Sequence, residues 1–311
     1  MKKARLSETT VVGDRYKKSL GDNASGSTPW LENNEELQTQ IKENKWMRWD
    51  GVEGTASEHL EWMHKQAVSL TSEERRNEFR PYGKRNGCSY YIHDELTSKA
   101  NGYGFFKIEA TLCLEPRDMV ARSMDMEGLA TIDKTVVMMK ILKQYHLDEE
   151  KESNNEASSS SSVVFPVCAA VYWCNDPGFP FHYRDGVDIT GYTEEADNSG
   201  TIWQVSVSAK GKNFVSMPGG AISATDCYWA YKLEPTTKKI ITTDNNEAVE
   251  VPVTKVTLIC QTVLNGYIPI FLSNYYLCSV LIDYLSTTEK DVEKKKNSGE
   301  HQELLKQINL L

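Results

Sequence analysis

The stretch that most limits the possible folds lies close to the C-terminal end. After Pro269, residues Phe271, Tyr275, Cys278, Ile282 and Leu285 recur at alternating spacings of four and three, which puts them on one face of a helix reaching to about Leu285. Leu272, Tyr276, Leu277, Val280, Leu281 and Tyr284 widen that face to most of the circumference. An ordinary surface helix needs one apolar stripe, so a helix that is apolar nearly all round has to be enclosed on more than one side. A curved sheet wrapped around it would provide the enclosure. The stretch is too short for the ~20 apolar residues that span a bilayer, and it carries Asn274 and Asp283.

The sequence upstream supplies such a sheet. Leu60, Met63, Ala67 and Leu70 predict a helix over 56–70, and Pro116 opens a second one to about 125. Strands are predicted at 88–94, 103–114, 136–144, 163–173, 186–193, 201–209, 222–233 and 251–264, and most are separated by Gly, Pro, Asn or Asp turns. Phe106, Ile108, Ala110 and Leu112 alternate with Lys107, Glu109 and Thr111. Likewise Trp203, Val205 and Val207 share one face, and Gln204, Ser206 and Ser208 share the other. This alternation predicts an antiparallel sheet with a dry face and a wet face. The order of elements is α+β: a curved antiparallel sheet with a long C-terminal helix against it.

Composition shifts set the expected boundaries. Residues 1–45 are polar and are expected to be disordered or loosely packed, with Trp30, Leu31, Leu37 and Ile41 allowing one weak amphipathic helix. One domain is expected over 46–288. A Ser-rich stretch at 148–162 reads as a loop inserted between two strands. Residues 289–311 are charge-rich and read as a tail.

With a net charge of -9 the chain lacks the basic balance of a nucleic-acid binder. No apolar run follows Lys2, Lys3 and Arg5, so no secretory signal is read there. The seven cysteines are odd in number and form no CxxC pair, which fits free thiols in a reducing compartment. The expectation is a cytoplasmic monomer whose membrane contact is transient and peripheral. The six histidines show no HExxH or Cys-His pattern, and no GxSxG, Walker or GxGxxG motif occurs, so no metal or cofactor is expected.

Three local motifs resemble those of the StAR-related lipid-transfer (START) family over about 46–285. Tyr172-Trp173 precedes Phe179-Pro180-Phe181-His182-Tyr183-Arg184-Asp185, which is similar to the family's strand ending in a Pro-Phe loop and an Arg-Asp pair. Leu264-Asn265-Gly266-Tyr267-Ile268-Pro269, followed by Phe271-Leu272-Ser273-Asn274, resembles its lead-in to the C-terminal helix. Met124-Asp125 followed by Ile132-Asp133 resembles its Arg and Trp-Asp segment, with Leu129 and Ile132 standing where the family has Arg and Trp. The resemblance implies a helix-grip fold whose terminal helix lids a tunnel holding one hydrophobic ligand. In phosphatidylcholine-type carriers the Arg of the third segment holds the lipid phosphate. Sterol carriers tend to have an Arg in the strand after the Arg-Asp pair, where this chain reads Val187-Asp188-Ile189-Thr190.

The residues expected at the ligand are Trp203, Trp229, Tyr172, Phe271, Tyr275, Cys278, Ile282, Arg184 and Asp133. Aromatic faces can line a lipid cavity, although the same residues also build plain cores. Arg184 and Asp133 either orient a head group or hold structure through ion pairs. The expected function is non-enzymatic binding of one lipid, of the phospholipid or sterol class, and its transfer between membranes. Two other readings use the same cavity. One is a lipid-sensing scaffold. The other is a small-molecule enzyme, which would need Glu109 or Asp188 to point inward with a perturbed pKa.

Overall fold

A computed structural model describes residues 10–12, 28–125, 129, 133, 135–145, 163–178, 181–209, 214, 216, 220–241 and 248–308. In chain order its elements are β1 (Thr10–Val12), α1 (Pro29–Glu32), α2 (Glu35–Glu43), β2 (Trp46–Met47), β3 (Glu53–Gly54), α3 (Ala56–Leu70), β4 (Phe79–Arg85), β5 (Cys88–His93), α4 (Asp94–Lys99) and β6 (Phe106–Leu112). Then follow α5 (Pro116–Met124), β7 (Val136–Tyr145), β8 (Val167–Asn175), β9 (Arg184–Glu194), β10 (Ile202–Ser208), β11 (Ile222–Ser223), β12 (Thr225–Ile241), β13 (Ala248–Val263), α6 (Ile270–Ser298) and α7 (Glu300–Gln307).

One large sheet dominates, in the order β1-β7-β8-β9-β10-β12-β13-β6-β5-β4, with β11 pairing parallel to the start of β9. All other neighbours in it are antiparallel. So many twisted strands cannot stay flat, and the sheet curls around what it packs against. Helix α6 lies on the inner side, where Leu281, Ile282 and Leu285 join Ile108, Leu258 and Tyr231 in one core. The outer side is covered by α1, α2 and α3, and there Leu31, Leu37, Leu60 and Met63 pack with Trp203, Val205 and Val207 in a second core. Helix α3 begins where a capping box predicts: Thr55 accepts from the Glu58 amide, and the Glu58 carboxylate accepts from the Thr55 amide.

The structure differs from the sequence expectations in three places. Residues 29–43 are not loose, because Leu31 and Leu37 are buried and Lys140 Nζ donates to Thr28 at 2.6 Å. Helix α6 does not stop near 285 but runs to Ser298, so 289–298 is helix rather than tail. Gly299, with φ of 82°, ends it in a left-handed cap, and α7 then packs back on α5 with Leu305 and Ile308 buried. The face of β10 expected to be wet is largely enclosed, since Gln204 and Ser208 are buried and Ser206 is half-buried. Most of residues 1–27 and the Ser-rich stretch at 148–162 lie outside the described residues.

Candidate functional site

Between the inner face of the sheet and α6 lies a cavity of about 250 Å³. Its existence follows from the alternation along the central strands. On β9, Arg184, Asp188 and Thr190 point inward, while Val187 and Ile189 point to the outer core. On β10, Gln204 and Ser206 point inward; on β12, so do Asp226, Trp229 and Tyr231. Helix α6 closes the space with Tyr276, Leu277, Val280, Leu281 and Tyr284. A polar sheet face and an apolar helix face therefore enclose the same volume. Well-packed protein leaves few voids of this size, so the lining is built around a space rather than across one.

The helix is held over the cavity by its N-terminal residues. Asn274 accepts from the Gly104 amide at 2.8 Å and donates to the Gly102 carbonyl at 3.1 Å. The preceding turn needs Gly266: its φ is 69°, and a Cβ there would lie 2.9 Å from Ile222 and 3.2 Å from the Arg184 guanidinium. Arg184 uses that guanidinium on backbone carbonyls. It donates to Leu264 and His182 at 2.6 Å, to Asn265 at 3.1 Å and to Tyr183 at 3.2 Å. It thus clamps the start of β9 to the loop that leads into α6. Burial pulls its pKa down. Asp185 is not its partner but lies on the opposite face, accepting from Tyr172 Oη at 3.1 Å.

Asp188 is a buried acid on the cavity wall. It is 6% exposed and accepts from Ser208 Oγ at 2.7 Å, and the same hydroxyl accepts from the Asp226 amide at 2.7 Å, which sets the two carboxyls beside each other. Burial, and then the neighbouring Asp226 charge, push its pKa well above the usual carboxylate range. Asp226 in turn accepts from the Thr262 hydroxyl. Asp133 accepts from the amide and hydroxyl of Thr135 at 2.8 and 2.7 Å, which fixes the turn before β7. Burial raises the Tyr276 hydroxyl to about 12.

Of the nine residues expected at the ligand, the structure places Trp229, Arg184 and Asp133 on the cavity wall. Trp203 and Tyr172 belong instead to the outer core, because their strand positions have the opposite parity. Trp203 packs edge-on against His64, and its Nε1 donates to Glu195 at 2.7 Å. Cys278 and Ile282 are buried against the sheet beside the cavity but do not line it. Phe271 and Tyr275 face outward, 71% and 67% exposed. Glu109 does not point into the cavity and sits 3.5 Å from Lys107. Sequence reasoning missed Asp226, Gln204 and Trp173 at the site. Gln204 was marked as part of the polar half of an alternating strand, which was the available signal; nothing in the sequence marked Asp226 or Trp173 as cavity-lining. Ile132, Phe179 and Pro180 of the motifs lie outside the described residues.

No family model matches the chain, and no curated protein matches it. Solved structures do resemble it in fold. Human StAR-related lipid transfer protein 5 is 12% identical, with 77% of this chain and 97% of that chain covered at a TM-score of 0.56. Human STARD10 is 12% identical, with 77% and 83% covered at a TM-score of 0.55. The chain has the helix-grip α+β fold of the START domains.

Proposed function

We propose that this START-fold chain is a non-enzymatic carrier that binds one lipid molecule in the cavity under α6 and moves it between membranes. The observation that carries the reading is the cavity itself, closed on one side by the apolar face of α6. Moving apolar lipid surface out of water is worth ~25 cal/mol per Å² before ordering costs, so no covalent step is needed to drive uptake. Release requires α6 or its lead-in to shift at a membrane surface. Tyr267, Ile270, Phe271, Leu272 and Tyr275 form an exposed apolar cluster there. Exposed clusters of this kind suit contact with lipid, and Tyr rings suit its interface with water. The carrier is proposed to work as a cytoplasmic monomer with transient membrane contact.

The test is native mass spectrometry of the purified protein, followed by solvent extraction and identification of what is bound. A stoichiometric lipid adduct supports the carrier, and vesicle-to-vesicle transfer then separates carriage from sensing. No adduct after incubation with mixed liposomes overturns it.

One observation favours a second reading. Asp188 and Asp226 are paired carboxyls with a perturbed acid, an arrangement that can also serve acid–base chemistry. If the extracted ligand is recovered chemically altered after incubation with the protein, the cavity is an active site rather than a carrier site.

A further inference from the structure

The polar half of the cavity wall is rich in hydrogen-bond acceptors. Asp133, Asp188 and Asp226 all face the cavity, with the amide of Gln204 and the hydroxyls of Thr190 and Ser206 beside them. Among the described residues, Arg184 is the only cationic side chain on the wall, and its donors go to four backbone carbonyls. Arg122 is 1% exposed and lies behind Tyr284, its guanidinium 5.4 Å from that ring and paired with Asp291. It is not part of the lining. Arg184 is therefore committed to holding the fold, whereas Arg122 keeps a buried Nη1 without a hydrogen-bond partner among the described residues but lies outside the lining.

Two buried polar atoms on the wall point to an occupant. Tyr284 Oη has no hydrogen-bond partner among the described residues. Trp173, 8% exposed, likewise has no hydrogen-bond partner for its Nε1 among the described residues. Buried polar atoms are nearly always satisfied by protein, water or ligand, so a wall with open donors beside carboxyls is set up for a group that both donates and accepts.

We infer that the polar end of the ligand is a hydroxyl or an amine that donates to the Asp188–Asp226 pair, and that lipids ending in a phosphate are excluded. This rests on the carrier reading and narrows its substrate class. A phosphate would bring negative charge against an Asp188–Asp226 pair that already retains a proton, with no guanidinium on the wall free of carbonyl partners, and like charges brought together without water are repelled strongly. A hydroxyl can donate to a carboxyl oxygen and accept from the Trp173 or Tyr284 donor. An amine can donate to both carboxyls.

The experiment is isothermal titration calorimetry of delipidated protein with dodecylamine, dodecanol and dodecyl phosphate, each below its aggregation threshold. The three share one chain and differ only at the polar end. The amine, the alcohol or both are expected to bind roughly tenfold or more tighter than the phosphate. Equal affinities, or a preference for the phosphate, overturn the inference. In Asp188→Asn/Asp226→Asn the gap is expected to close to about threefold or less, since amides keep the shape and remove the charge. A gap that persists in the folded double variant also overturns it. If the variant does not fold, the wild-type ranking decides alone. Binding of none of the three, with a phospholipid adduct seen by native mass spectrometry, sinks the head-group inference and keeps the carrier. No binding and no adduct of any lipid sinks the carrier reading itself.

Discussion

At the residue scale the informative group is Asp188. Its folded-state pKa is raised by burial and by Asp226, so the folded protein holds a proton that the unfolded chain gives up. Folding is therefore favoured below the unfolded carboxylate value of about 3.9, and this contribution is lost as pH rises toward the folded value. Asp188→Asn removes that loss. Its melting temperature is expected to exceed wild type at pH 7, with the two converging near pH 4; thermal melts across that range read it. A variant that melts lower at pH 7 would mean that the carboxyl is needed by the fold. Part of this was legible beforehand. The alternation on β10 showed which residues share a face, and Asp188 was named as an acid that chemistry would need to find inside. The pairing with Asp226 was not legible. The partner lies 38 positions away in sequence (226 minus 188), and a bulge in β12 between 226 and 228 resets the parity of that strand.

At the element scale the question is what holds α6 down. Its apolar face was read correctly as needing burial on more than one side, but the choice of stripe was displaced by one position. Residues 277, 281 and 284 line the cavity, whereas 278, 282 and 285 pack on the sheet. One residue step turns a helix by about 100°, and a face that is apolar nearly all round gives no sequence cue to choose between neighbouring stripes. The anchor at the N-terminal end is Asn274. Asn274→Ala leaves the Gly104 amide and Gly102 carbonyl without it and is expected to cost about 1–3 kcal/mol in denaturant unfolding. Lipid exchange between vesicles should become faster, because the lid loses a tether. The exposed cluster behaves differently. Phe271→Ser is expected to change stability by less than about 0.5 kcal/mol, since the ring touches little protein. Transfer between vesicles should slow at the same time; unchanged transfer would remove the cluster from the proposed membrane contact.

For the whole molecule, the C-terminal elements complete the domain. Asp118 on α5 is buried and receives Lys296 Nζ at 2.6 Å and His301 Nε2 at 2.7 Å. Arg122 pairs with Asp291, and Lys295 with Asp125. Desolvation raises the Asp118 carboxyl, but Lys296 and His301 outweigh it and leave the pKa below the usual range. Truncation after residue 288 takes Lys296 and His301 from Asp118, Asp291 from Arg122 and Lys295 from Asp125 at once. Stranding a buried charge costs about 3–5 kcal/mol, so the truncated chain is expected to unfold or melt far below wild type. Near-wild-type stability would show that α7 and the end of α6 are dispensable.

The sequence alone determined the α+β order, the antiparallel sheet and the apolar terminal helix, because periodicity reports local geometry and the demand for burial directly. The lead-in to α6 was also legible through its motif at 264–274, and the structure gives the reason for its glycine: Gly266 has a φ of 69° and a Cβ there would crowd Ile222. Tertiary structure decided which sheet face is the interior. Alternation is symmetric: it marks two faces without saying which one meets the helix. On β10 the polar face turned out to be enclosed and the apolar face packed outward under α1–α3, whereas on β6 the apolar face meets α6. It also decided that Arg184 serves carbonyls rather than a ligand, because those carbonyls arrive from residues 264 and 265, brought to β9 only when the chain has closed.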